Sequence, residues 1–145
     1  MRHRIVAATA AAILAITVSP AIANAGPVRI DRVQYDSPGN DTGSNPSLNA
    51  EWVVIKNFGR RAKQLRGFTV RDTAGHVYRF GRFKLRSGRS VKIHTGSGRN
   101  SRTDRYWGQD FYVWNNDGDK ATLRNKNRQR VDTCSWGDGS GTTGC

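Results

Sequence analysis

The sequence predicts an all-β sandwich of about eight strands, and three observations carry that prediction. Apolar and β-branched residues fall in short runs, several with period-two alternation. Clusters of Gly, Pro, Asn, Asp and Ser separate the runs, as turns require. No stretch of the mature chain shows the three-and-four spacing of an amphipathic helix. The chain has 145 residues, with 13 Trp, Tyr and Phe among them. That many aromatics exclude a disordered basic tail, and the length excludes a barrel of about 250 residues.

A leader precedes the strands. Met1-Arg2-His3-Arg4 is a short positive segment, residues 5–18 are apolar, and Ala23-Asn24-Ala25 offers small residues at a cleavage site. This is the pattern of a secretory signal cleaved after Ala25. The apolar run falls short of the roughly 20 residues that span a bilayer, so no membrane anchor is expected. Without residues 1–25 the chain is 120 residues long. Arg2 and Arg4 leave with the leader, so 24 basic residues become 22 against 11 acidic ones, a net charge of +11.

The strands follow in order. Residues 28–35 alternate as Val28 and Ile30, then change parity to Val33 and Tyr35, which predicts a bulge. Residues 37–47 are a polar loop. Residues 51–58 hold four consecutive β-favouring residues, with Val53 and Ile55 expected inward and Trp52, Val54 and Lys56 outward. Residues 64–72 and 76–80 flank the turn Thr73-Ala74-Gly75. Residues 90–95 place Val91, Ile93 and Thr95 on one face, with Lys92 and His94 on the other. Residues 96–105 carry no apolar side chain and read as a loop. Strands are expected at 111–115, 120–124 and 129–134, the first two separated by Asn116-Asp117-Gly118-Asp119. The domain organisation is therefore a signal over 1–25, a sandwich over 26–137 and a Gly/Ser/Thr-rich tail over 138–145. Cys134 and Cys145, the only cysteines, are expected to close that tail as a disulfide in an oxidising compartment.

Six motifs occur in a recognisable order. They are Glu51-Trp52-Val53-Val54-Ile55-Lys56-Asn57, Leu65-x-Gly67-x-x-Val70-x-Asp72, Tyr78-x-Phe80, Ser87-Gly88-x-x-Val91-x-Ile93, Trp114-Asn115-Asn116-x-Gly118-Asp119-x-Ala121-x-Leu123, and Val131-Asp132. Together, over residues 28–137, they resemble the lamin tail domain of nuclear lamins and of many secreted bacterial proteins. The resemblance implies an immunoglobulin-like sandwich that acts as an interaction module, without catalytic residues. Each position also has a local reason. Asn57 ends a strand where its amide reaches turning backbone. Gly67 marks a bulge or a close backbone approach. Asn115, Asn116 and Asp119 suit the bonding of a tight turn.

The turn 115–119 has too few oxygen donors for a full calcium loop, and whether Asn115–Asp119 binds calcium is left open by the sequence; no Cys/His cluster suggests zinc, and no cofactor is expected. Gly96-Ser97-Gly98 opens no helix, so it is no phosphate loop. No nucleophile elbow or metalloprotease helix is present, and a hydrolase would require His76 or His94 to stand beside a carboxylate. The expectation is no enzyme.

Charge is the informative feature. Arg outnumbers Lys 18 to 6, and the planar guanidinium suits phosphate, sulfate and carboxylate groups. Three clusters are candidate polyanion sites: Arg60, Arg61, Lys63 and Arg66; Arg99, Arg102 and Arg105; and Arg124, Lys126, Arg128 and Arg130. Tyr106 and Trp107, beside the second cluster, offer rings for stacking or for packing in the core. The expected function is a secreted non-catalytic module for an extracellular polyanion, nucleic acid or an anionic wall polymer. The alternative is a cell-surface structural or protein–protein interaction module using the outward Trp52–Val54 pair. Oligomeric state is left open by the sequence.

Overall fold

The structure, a computed structural model, describes residues 26–145. The leader assigned to residues 1–25 lies outside them. Eleven strands and one short helix follow one another: β1 (Val28–Gln34), α1 (Asn45–Ala50), β2 (Trp52–Asn57), β3 (Lys63–Gln64), β4 (Thr69–Arg71), β5 (Val77–Arg79), β6 (Lys84–Leu85), β7 (Ser90–His94), β8 (Asp104–Tyr106), β9 (Gly118–Arg124), β10 (Arg130–Gly137) and β11 (Thr142–Gly144). One sheet has the order β11-β1-β2-β7-β8 and the other β10-β9-β4-β5, while β3 and β6 form a separate ribbon. Every pairing is antiparallel except β7 with β8.

The alternation read from the sequence fixes which faces meet. Val53 and Ile55 of β2 and Val91 and Ile93 of β7 are buried, and so are Val70, Ala121, Leu123 and Cys134 of the opposite sheet. Each large side chain so buried contributes about 1.5–3 kcal/mol. In β1 the register against β2 shifts between Ile30 and Arg32, leaving Asp31 as the extra residue. That bulge lets Val28 and Ile30 face the core on one parity, and Val33 and Tyr35 on the other.

Aromatic side chains form a continuous spine. Phe83 stacks on Phe80, Phe80 meets Tyr78 edge-on, and Tyr78 meets Trp107. Trp107 leads to Trp114, Trp136 and finally Tyr35, with ring centroids 5.1–5.8 Å apart along that half. Offset and edge contacts of this kind add to the burial itself. Trp107 is therefore a packing residue.

Several expectations are corrected. Residues 111–115 are not a strand: they are irregular and are tied to Glu51. The run expected over 64–72 is two strands, because Gly67 turns the chain with φ +82°. The loop 96–105 ends in β8, which pairs with β7. The loop 37–47 gives way to α1, a helix too short to show periodicity, anchored by buried Leu48. Residues 142–144, set apart above as tail, pair with β1 as β11.

Candidate functional site

Both cysteines lie at sheet edges. Cys134 is on β10 and Cys145 follows β11, and they form a disulfide with Cα atoms 5.6 Å apart. The bond therefore joins the edge of one sheet to the edge of the other.

The acidic residues of the motifs work mainly as acceptors for backbone. Buried Glu51 takes the Thr95 hydroxyl (2.6 Å) and the Val113 amide (2.8 Å) on Oε1, and the Trp114 amide (3.3 Å) on Oε2. Burial pushes its carboxyl up to about 7, against the lowering effect of those donors. Asp119 accepts from the amides of Thr73, Asn115 and Lys120 and from the Thr73 hydroxyl. Those donors occupy both of its oxygens, so the turn 115–119 is organised by N–H and O–H groups. Asp132 takes the Ile30 amide, and Asn57 bridges Gly59, Arg61 and Leu85. Ser97 N–H, in the glycine-rich segment, bonds Asn45 Oδ1 of α1. A Cβ on Gly96 would lie 2.5 Å from that same oxygen, so a larger residue there would displace the Asn45 side chain from this contact.

Both histidines of the described residues stand beside a carboxylate. His76 Nδ1 meets Asp72 Oδ2, and Asp72 Oδ1 also accepts the amides of Gly75 and His76, which makes it the organiser of that turn. His94 is engaged on both nitrogens, by the Asn49 carbonyl and by Asp104, each at 2.8 Å, and its ring stacks on Tyr106. Asp104 is held below the ordinary carboxylate range, first by the Thr103 hydroxyl and then by His94. His94 thus ties α1, β7 and β8 together and has no free nitrogen for a proton transfer. Neither histidine lines either of the two cavities described next. The described residues contain no cluster of three or more His, Cys, Asp or Glu that could hold a metal ion.

The basic residues are arranged differently from their order in the chain. The β3–β6 ribbon, with Lys63 opposite Leu85 and Gln64 opposite Lys84, contributes one strand to each of two cavities. On the β6 side is a groove of about 700 Å³. Its cations are Arg82, Lys84, Arg86, Arg89, Arg102 and Arg105, and no acidic residue lines it. Arg105 lies with its guanidinium 4.4 Å above the Phe83 ring. On the β3 side, Lys63 and Arg66 meet Lys126 around a cavity of about 560 Å³. Arg60, Arg61, Arg99, Arg124, Arg128 and Arg130 line neither cavity.

Four of the six groove cations were absent from the sequence-based clusters, although a signal existed. Arg82, Lys84 and Arg86 alternate with Phe83 and Leu85, which are 8% and 2% exposed. That is a short strand with a wholly cationic outer face. The groove's cations are also unneutralised. Among the described residues the two ion pairs both use histidine, so no Lys or Arg there is paired with a carboxylate.

A comparison with curated proteins returned no match. The family model described as Lamin Tail Domain matches residues 21–138. The immunoglobulin-like sandwich, the motif residues that hold its turns and this match agree, and they make the chain a member of the lamin tail domain family, a non-catalytic family of binding and structural modules.

Proposed function

We propose that the chain is a secreted, non-catalytic module that binds an extracellular polyanion, DNA or an anionic wall polymer, in the groove between β6 and the segment 100–105. One observation carries the reading: six cations from two chain segments converge on a groove with no acidic residue in its lining. Guanidinium and ammonium groups held this way donate hydrogen bonds to successive phosphates or carboxylates without reading sequence. The protein–protein alternative draws less support. Lys92 Nζ covers the Trp52 ring at 4.4 Å, and the exposed large apolar residues Phe58, Val77 and Phe111 come from three separate segments.

The experiment is a salt titration of residues 26–145 against a labelled random-sequence DNA duplex. If all six groove cations contact phosphates, log affinity falls against log salt with a slope of roughly −5. Arg86→Glu, Arg89→Glu and Arg102→Glu together, all on exposed positions, should reduce that slope by about three and weaken binding more than tenfold. Reversing Arg60 and Arg61, outside the groove, should have the smaller effect. Equal losses from the two sets would refute the groove as the site, and absence of binding at low salt would remove nucleic acid as the ligand.

A further inference from the structure

The cavity on the β3 side differs from the groove in chemistry. Its floor is apolar: Val28 of β1 and Phe68 are buried at 2% and 7% exposure, and Val131 of β10 packs on the same core. Its rim is cationic, with Lys63, Arg66 and Lys126 and no acidic residue in the lining. Gly67 sets the rim. Its left-handed φ of +82° turns the chain after Arg66, and a Cβ there would come within 3.2 Å of the Lys126 Cβ. The β3–β4 turn therefore sits directly against the β9–β10 turn, bringing Arg66 and Lys126 to one side of the opening. The β9–β10 turn is itself fixed, since Asn125 Oδ1 accepts the amides of Asn127 and Gln129.

A volume of about 560 Å³ lies within the range of small-molecule sites, which combine apolar walls with a few placed polar groups. A polyanion would use the rim and leave the floor wet, whereas a neutral apolar molecule would use the floor and leave three cations unanswered. We propose that this cavity binds a small amphiphilic anion, a monomeric acyl carboxylate whose tail lies on Val28, Phe68 and Val131 and whose head group meets Arg66 and Lys126. The site is concave, whereas bilayer docking calls for an apolar face that projects, so the ligand is a free monomer rather than a membrane lipid. This site is separate from the polyanion groove and does not depend on it.

Decanoate is the probe, titrated as monomer into residues 26–145 and followed by methyl and amide NMR. Saturable shifts are expected at Val28, Phe68, Val131 and Lys126. Decanol, which lacks the charge, and acetate, which lacks the tail, should each bind at least about fivefold more weakly, the scale of one or two exposed charge contacts or a few buried methylenes. Arg66→Glu with Lys126→Glu, both at exposed positions, should cost a similar factor. Val131→Trp should fill the floor and abolish decanoate binding, while changing DNA binding less than about twofold because it lies outside the groove. Equal affinity for decanol and decanoate would overturn the proposal. So would shifts confined to the Arg82–Arg105 groove, the absence of saturation, or binding to anionic vesicles in place of the monomer.

Discussion

Glu51 is a carboxylate placed where a carboxylate is costly, on the first residue before β2 with no exposed surface. Its value lies in reach. One oxygen holds Thr95 at the end of β7 and Val113 in the irregular segment that replaces the expected strand. Folded, the group binds its proton up to about 7, against an ordinary 4.5. Between those values the folded chain holds a proton that the unfolded chain has released, so stability falls as pH rises through that window and levels off above it. The gap corresponds to about 3 kcal/mol at most. Glu51→Gln should remove this fall. Its amide oxygen can still accept from Thr95 and Val113, leaving only the longer Trp114 contact unmade. Thermal unfolding of both proteins from about pH 4.5 to about pH 8 tests it. Parallel curves would rule Glu51 out as the source. Glu51→Ala is a different experiment: it strands three buried donors and should cost about 2–4 kcal/mol at any pH.

At the scale of elements, legibility followed burial. β1 with its bulge, β2 and β7 could be read from apolar parity, because a one-residue slip would turn a buried face to water. Residues 111–115 misled because Phe111, Tyr112, Val113 and Trp114 have strand propensity. Backbone in that segment bonds instead to the Glu51 carboxylate, a partner 62 residues away. β8 and β11 carried no apolar pattern at all. β8 exists because β7 offers a free edge and His94 anchors Asp104. β11 exists because the disulfide and the Cys145 amide, bonded to the Asp31 carbonyl, hold the terminus against β1. The same limit applied to the site: charge density could be counted along the chain, but convergence of β6 with segment 100–105 is a property of topology. For β11 the consequence is measurable. Replacing both cysteines by Ser should lower stability by about 3 kcal/mol, the loop-closure effect for a ring of this size. Hydrogen exchange should show amides 142–145 losing protection first, before β1 and β2. Unchanged protection there would mean that β11 pairs without its covalent tie.

For the whole molecule, the acids and the bases have been put to different uses. Glu51, Asp72, Asp119 and Asp132 are bonded to backbone amides, and Asp72 and Asp104 also hold the histidines. The 22 Lys and Arg of residues 26–145 are left to repel one another at a net charge of +11 over those residues. Self-repulsion of this kind destabilises a compact state, and salt relieves it. Raising ionic strength from about 0.01 to about 0.15 M shortens the screening length from about 30 to about 8 Å. The melting temperature should therefore rise with salt over the same range in which affinity for DNA falls. The opposite signs are informative because one set of charges produces both. The groove triple of Arg86→Glu, Arg89→Glu and Arg102→Glu should flatten the two dependences together, raising stability at low salt while weakening binding. A melting temperature that falls with salt would mean that ion pairs between Arg and carboxylates stabilise the fold after all, and the groove cations would no longer be available to a polyanion.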